Sequence, residues 1–249
     1  MTQDLLSSYR LHTAHVELTS ACNLRCVYCP VSQPTYKPKT MTTATTVDTI
    51  FSILKANPAQ VNINGHGETT IVEGWERIFS PLLESSIDCN LISNLSKSYS
   101  DNEIDALTKL STLTISCDSL DPDIYQRLRR KGSIVNILIT INRIRERCRE
   151  LDRQSPVIGF SCVLGADNAG TVEQFISSSR QLGIQFIQFC HLTEYPSPPD
   201  ANYTLRPLSE LEANQLLMLE ATLRENKEKN SPNISVQDGI FRTIKNLAI

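Results

Sequence analysis

The chain has 249 residues, of which 40% are hydrophobic and 20% charged, and its formal net charge at pH 7 is −3. This length suits one substantial domain, and the interspersed charges leave no basic face that would indicate nucleic acid as a partner. No apolar run approaches the roughly 18 residues of a membrane span, and the N-terminus lacks the apolar core of a secretion signal. We therefore expect no membrane association, a cytoplasmic location, and cysteines that are reduced or bind metal.

Patterns typical of strands and helices alternate along the chain. The predicted strands are short apolar or alternating runs at residues 15–19, 60–64, 87–93, 113–117, 157–164 and 184–189. Apolar residues spaced three or four apart predict a helix capped by Thr42 or Thr43 and another that begins at Asp121-Pro122. The same spacing predicts further helices at residues 74–83, 101–110, 134–151, 171–182 and 209–226.

Six strand and helix units of this kind predict an α/β fold, a partial (β/α)6 barrel of parallel strands with outer helices. We divide the chain into an N-terminal extension (residues 1–11), a barrel core (12–207) and a C-terminal helix and tail (208–249). The irregular loop at 191–207 is a candidate lid or substrate contact. Residues 234–249 are either a seventh element or an appended segment. Functional residues of parallel barrels lie where the strands end, at their C-termini.

Three cysteines lie in one short stretch after the first predicted strand. Cys22, Cys26 and Cys29 have the spacing C-x3-C-x2-C, and a loop of that length can direct three thiolates to one iron–sulfur cluster. A closed structural zinc site takes four ligands, whereas three cysteines leave one iron of a four-iron cluster without a protein ligand. The alternatives are a three-cysteine zinc site completed by a histidine, and free thiols in a loop.

The cysteine spacing, with Tyr28 directly before the third cysteine, resembles the radical S-adenosylmethionine (radical SAM) superfamily. The resemblance implies a [4Fe–4S] cluster whose open iron binds S-adenosylmethionine. It also implies reductive cleavage of that cofactor to a 5′-deoxyadenosyl radical, which abstracts hydrogen from a peptide or small-molecule substrate. The implied electron donor is external, such as flavodoxin or ferredoxin. Two alternatives stay open: an activase that places a glycyl radical on a partner protein, and a non-catalytic iron–sulfur electron-transfer protein.

A second motif, Gly65-His66-Gly67-Glu68, follows the second predicted strand. It resembles the Gly-Gly-Glu motif of the superfamily, with His66 in place of the second glycine. Glycines let the backbone approach a ligand closely. The resemblance implies that Gly65, Gly67 and Glu68 bind the methionine amine of the cofactor.

Weaker motifs of the superfamily match the ends of the next two strands and the helix that follows. Asn94 resembles part of a Thr-Asn-Gly motif, and Ser116 with Asp118 resembles a Ser-Ile-Asp-Ser run that contacts ribose hydroxyls or the cofactor carboxylate. Arg129 matches the arginine of a Tyr-x-x-x-Arg-x-x-Gly motif and would pair with that carboxylate, a role that suits arginine. Tyr28 would cover the adenine.

Two further cysteines are candidate catalytic residues. Cys117 and Cys190 each fall at the end of a predicted strand, where the barrel opens onto the cofactor. A thiol can return a hydrogen atom to a substrate radical, as an epimerase requires. The competing interpretation is that these cysteines are small buried hydrophobic residues.

Overall fold

The computed structural model describes residues 11–192, 204–229 and 232–248. The strands are β1 (Thr13–Val16), β2 (Arg25–Cys26), β3 (Gln60–Ile63), β4 (Asp88–Ser93), β5 (Thr112–Ser116), β6 (Arg129–Arg130), β7 (Val157–Leu164), β8 (Phe186–His191) and β9 (Asn233–Val236). The α-helices are α1 (Thr43–Ala56), α2 (Trp75–Leu83), α3 (Asp101–Leu107), α4 (Pro122–Leu128), α5 (Ile134–Glu150), α6 (Ala166–Ala169), α7 (Val172–Gln181), α8 (Ala213–Lys229) and α9 (Asp238–Leu247).

Seven of these strands form one parallel sheet in the order β1-β3-β4-β5-β7-β8-β9. All seven C-terminal ends therefore meet at one edge of the sheet. The predicted α/β partial barrel with outer helices is confirmed. The sheet has one strand more than the six predicted units, because β9, in the segment whose nature the sequence left open, pairs with β8.

Local signals in the sequence explain where several elements begin and end. Thr42 caps α1, since its hydroxyl accepts a hydrogen bond from the main-chain N–H of Thr45, and the helix ends at Asn57 in the left-handed conformation (φ 45°). The first strand differs from its predicted range of 15–19. It ends at Val16, and Thr19 instead forms an isolated antiparallel bridge with Thr40.

The two faces of the sheet differ in chemistry. The outer face is apolar and packs against the helices in one continuous core that includes Ile115, Phe160 and Ile187. Side chains alternate between the two faces of a sheet along each strand, so the strand residues next to Ile115, Phe160 and Ile187 point to the opposite face. We call this opposite face the inner face, and it is half-exposed in the described part of the chain. One row across it consists of Ser116, Ser161, Gln188 and Ser235, which lie side by side on four neighbouring strands.

Two short strands outside the main sheet were not predicted from the sequence. Strand β2, inside the cysteine loop, pairs antiparallel with β6, which follows α4. The loop at 191–207, proposed as a lid, falls largely outside the described residues. Within the described ranges, we find no helix long and apolar enough to cross a bilayer.

Candidate active site

The cysteine loop begins just after β1 and is held by hydrogen bonds on both sides. Cys26 is paired in register with Arg129 across the β2–β6 ladder. The main-chain N–H of Val27 donates to the carbonyl of Leu128 at 2.9 Å, and the carbonyl of Val27 accepts from the N–H of Thr204 at 3.0 Å. The loop that carries the thiols is therefore fixed by segments far away in sequence.

Hydrogen-bond donors approach all three sulfur atoms, and those of Cys29 are the main-chain N–H groups of Val31 and Ser32. The main-chain N–H of Leu24 lies 3.4 Å from Cys22 Sγ, and Asn94 Nδ2 lies 3.8 Å from the same atom. Arg129 Nη1 lies 4.0 Å from Cys26 Sγ. Donors and positive charge favour the thiolate, which is the form of cysteine that binds iron. This donor set therefore fits an iron–sulfur cluster.

Burial raises the pKa of all three thiols, that of Cys26 to about 12, while Arg129 acts in the opposite direction on Cys26 and Cys29. Within the described ranges, no group of three or more His, Cys, Asp or Glu side chains is arranged to hold a single metal ion.

The glycine motif lies against the cysteine loop. The main-chain N–H of Glu68 donates to the carbonyl of Ala21 at 2.8 Å. A Cβ atom at Gly67 would lie 2.3 Å from the carbonyl oxygen of Thr19 and 2.4 Å from that of Ala21. Gly67 is therefore required because two backbone segments cross here. The sequence predicted that these glycines let the backbone approach a ligand, whereas the contacts observed at Gly67 are with the main chain of the cysteine loop.

The carboxylate of Glu68 is occupied by internal hydrogen bonds. Its Oε1 accepts from the N–H and hydroxyl of Thr70 and from the hydroxyl of Ser93, and its Oε2 accepts from the N–H of Asn94 at 2.7 Å. The residue is only 3% exposed. Burial raises the pKa of this carboxyl, and the hydrogen bonds lower it by less. The carboxylate thus joins the ends of β3 and β4, and its predicted contact with the cofactor amine stays a prediction.

Asn94 lies next to the first cysteine, as its predicted position at a strand end requires. Its Nδ2 donates to Asn23 Oδ1 at 2.9 Å, and its Oδ1 accepts from the N–H of Ser96 at 3.0 Å. The amide thus links the end of β4 to the cysteine loop.

Asp118 and Arg129 are paired with each other in the interior. Arg129 Nη2 donates to Asp118 Oδ1 at 2.9 Å, and Nε lies 2.9 Å from Oδ2 without being aligned to donate. Tyr28 donates its hydroxyl to Asp118 Oδ2 at 2.6 Å, and its ring centroid lies 5.7 Å from Arg129 Cζ. Both groups thus have buried partners, and their predicted contacts with the cofactor stay a prediction.

The two candidate hydrogen donors lie on opposite faces of the sheet. Cys117 is fully buried in the outer core, where its thiol points at the carbonyl oxygen of Ser119, 3.2 Å away. Its predicted position facing the cofactor is wrong, because it follows Leu113 and Ile115 in the alternation of β5 and shares their face. Cys190 is half-buried on the inner face, and its sulfur lies 3.5 Å from Ser161 Oγ.

Three residues of the site were not predicted as site residues from the sequence. Glu17 Oε1 accepts from the main-chain N–H of His66 at 2.6 Å, and the same side chain fills the space beside Gly65. Asn23 accepts from Asn94, and Ser161 lies beside Cys190. Glu17 directly precedes the cysteine loop and Asn23 lies inside it, so proximity in sequence was the signal for these two. Ser161 is one strand residue among many and had none.

The geometry of the cysteine loop agrees with the comparison of this chain with known protein families. Residues 16–177 match the Radical SAM superfamily. The chain belongs to that superfamily. Its cofactors are therefore a [4Fe–4S] cluster and S-adenosylmethionine.

Relatives of this radical SAM chain act on different substrates, as their names state. It is 28% identical over 199 residues to a GTP 3′,8-cyclase of Alkaliphilus oremlandii (strain OhILAs), covering 76% of this chain and 59% of the relative. It is 25% identical over 180 residues to the sporulation killing factor maturation protein SkfB of Bacillus subtilis (strain 168), covering 72% of this chain and 42% of SkfB. The chain thus spans less than two thirds of either relative.

Solved structures share the fold. SuiB of Streptococcus suis bound to the precursor peptide SuiA superposes with a TM-score of 0.71 at 12% identity, covering 99% of this chain and 54% of SuiB. The structure of anSMEcpe with bound AdoMet gives a TM-score of 0.63 at 17% identity, covering 92% of this chain and 62% of that one.

Proposed function

We propose that this radical SAM chain abstracts hydrogen from a neutral peptide segment that lies on the inner face of its sheet. One observation carries the choice of substrate. The strand residues of this face include the hydroxyls of Ser116 and Ser161, the amide of Gln188 and the thiol of Cys190, beside apolar side chains such as that of Val163. The carboxylate of Asp88 lies at the start of β4, and none of the strand residues that the structure describes on this face is Lys or Arg.

The absence of cationic side chains on the described inner face distinguishes between the substrates of the relatives. Recognition of a triphosphate depends on Arg or Lys, which form charge-assisted hydrogen bonds to phosphate. Neutral hydroxyl and amide groups, such as those of Ser116, Ser161 and Gln188, instead pair with the N–H and C=O groups of a peptide. SkfB is named as a maturation protein, and SuiB has been seen with a precursor peptide. The complex of SuiB with its precursor peptide shows that this fold can hold a peptide.

In the proposed site, the sulfur atoms of Cys22, Cys26 and Cys29 would hold the cluster. Bound there, the cluster and S-adenosylmethionine supply a 5′-deoxyadenosyl radical when an external donor such as flavodoxin or ferredoxin provides an electron. The main chain of Gly65 to Gly67, the amide of Asn94, the ring of Tyr28 and the hydroxyl of Ser116 are the groups proposed to bind the cofactor. Glu68 positions that loop through its internal hydrogen bonds.

Among the side chains of this set, all of which lie in the described ranges, that of Ser116 has a polar group with no internal partner, whereas those of Tyr28 and Asn94 are hydrogen-bonded. Ser116 is half-exposed at the end of β5, and its hydroxyl makes no hydrogen bond to any side chain or main-chain group in the described part of the chain. Cys190, on the same face, remains the proposed donor of a hydrogen atom to the substrate radical.

The cluster assignment is tested by iron content. After anaerobic reconstitution we expect about four irons per chain, and replacing any of the three loop cysteines with Ala should remove most of that iron. Cys148→Ala is the matched control, because Cys148 lies in the core on α5. Full iron content after the loss of all three loop cysteines would refute the assignment.

The substrate class is tested by isotope transfer. A deuterated cell extract is separated into peptide, nucleotide and neutral small-molecule fractions, and each is incubated with the reconstituted chain, S-adenosylmethionine and dithionite. We expect the peptide fraction to transfer deuterium into 5′-deoxyadenosine, as detected by mass spectrometry. Transfer from the nucleotide or the neutral small-molecule fraction, without transfer from peptides, would contradict the proposal.

A further inference from the structure

The guanidinium of Arg129 lies beside a sulfur atom of the cysteine loop. Its Nη1 is 4.0 Å from Cys26 Sγ, and the residue is only 7% exposed. A charge this well shielded from water acts strongly on its neighbours, because the local dielectric constant is low and salt screens little.

The position of this guanidinium is fixed from two directions. Its backbone is paired with that of Cys26 in the β2–β6 ladder. Its side chain is held by Asp118, which is itself held by the hydroxyl of Tyr28 and by the main-chain N–H of Val163 at 2.9 Å. The distance from Arg129 to the Cys26 sulfur is therefore set by the fold.

Arg129 also remains charged. A guanidinium group is not deprotonated in proteins, even when it is buried. Asp118 supplies the compensating negative charge for the buried pair, as such a pair requires. Nη2 donates to that carboxylate, whereas Nη1 is directed at the sulfur.

We propose that Arg129 is a positioning residue that sets the reduction potential of the cluster through the Cys26 thiolate, and that Asp118 moderates its effect. This inference rests on the proposed role of Cys26 as a cluster ligand. Reduction adds one negative charge to the cluster, so a fixed positive charge beside a ligating sulfur stabilises the reduced form and raises the potential. Charge and hydrogen bonds near the sulfurs are general determinants of such potentials.

The experiment measures the midpoint potential of the reconstituted cluster in the absence of S-adenosylmethionine. Dithionite supplies the single electron, and the paramagnetic signal of the reduced cluster is followed as the potential is changed. In Arg129→Gln the potential should fall by at least about 59 mV, which corresponds to a tenfold change in a one-electron equilibrium. Arg129→Lys keeps the positive charge, so its potential should fall by less than that of Arg129→Gln.

Asp118→Asn provides the opposite perturbation, since it leaves the Arg129 charge without its counter-charge and should raise the potential. Shifts of opposite sign are informative because mere loosening of the buried pair would admit water in both variants and shift both potentials in the same direction. Arg130→Gln is the control. Arg130 is the exposed neighbour of Arg129, and its Nη2 lies 3.4 Å from Thr204 Oγ1.

Unchanged potentials in the Arg129 and Asp118 variants, or shifts of the same sign in Arg129→Gln and Asp118→Asn, would overturn the inference. It would also be overturned if Arg129→Gln weakened S-adenosylmethionine binding at an unchanged potential, because Arg129 would then serve the cofactor. If Arg129→Gln does not fold, the test uses the other two variants. The midpoint potential should then fall in Arg129→Lys and rise in Asp118→Asn. Failure of wild type to bind iron would instead refute the proposed function.

Discussion

The main-chain N–H of Asn94 donates to Glu68 Oε2 at 2.7 Å, and this bond joins the C-terminal ends of β3 and β4. The other oxygen of the same carboxylate accepts from Thr70 and Ser93. Asn94 in turn reaches the cysteine loop through Asn23. The acid of the glycine motif thus organises the site from inside, and the stability of the chain should depend on it.

Glu68→Ala should lower the free energy of unfolding of the iron-free chain by about 3 kcal/mol at pH 5, because it leaves buried donors unpaired and creates a cavity. Urea unfolding measures the change. Glu84→Ala is the control, since Glu84 is exposed and its ion pair with Lys109 on the surface contributes little. Equal, small losses in both variants would mean that the Glu68 network does not stabilise the fold.

The same carboxylate should make stability depend on pH. Its folded pKa lies above the ordinary value of 4.5, so between these two values the folded chain binds more protons than the unfolded chain. Stability from this group is present below pH 4.5 and is lost as the pH rises through the folded pKa. The destabilisation by Glu68→Ala should therefore become smaller as the pH rises above 4.5 and through the folded pKa. A cost that grows over this interval would show that the pKa is shifted in the other direction.

Gly67→Ala should displace the cysteine loop, because the added Cβ would overlap two carbonyl oxygens of that loop. Overpacking of this kind costs about 1–3 kcal/mol, and we expect most of the iron to be lost on reconstitution. Gly170→Ala is the matched control, since a Cβ atom at Gly170 would have no atom within 4 Å. Wild-type iron content in Gly67→Ala would show that the crossing of the two segments tolerates a side chain.

The thiols outside the loop should differ in reactivity. In a variant with Cys22, Cys26 and Cys29 replaced by Ala, Cys190 should react with an alkylating reagent at least about tenfold faster than Cys89, Cys117, Cys148 or Cys162, which are all buried. Burial also raises the pKa of the Cys117 thiol to about 12, which keeps it protonated. Peptide mapping by mass spectrometry identifies the labelled residue. Faster labelling of Cys117 would contradict the assignment of the two faces.

The sequence determined those features that depend on near neighbours and on periodicity. The spacing of Cys22, Cys26 and Cys29 indicated an iron–sulfur site because the three thiols share one loop. The alternation of strand and helix patterns predicted a parallel sheet, and with it the meeting of Gly67, Asn94 and Ser116 at one edge, since parallel strands end on the same side. The N-terminal cap of α1 at Thr42 could also be predicted from the sequence, because capping is a local interaction.

Only the tertiary structure decided which partners the polar groups take. The predicted strand ends do carry Glu68, Asp118 and Arg129. Their hydrogen-bond partners, however, come from segments far away in sequence, and local sequence patterns do not predict which distant side chains come into contact. The orientation of Cys117 was equally hidden. A shift of one residue in a strand moves a side chain to the opposite face, so a thiol expected at the cofactor lies in the core, while that of Cys190 faces the open side of the sheet.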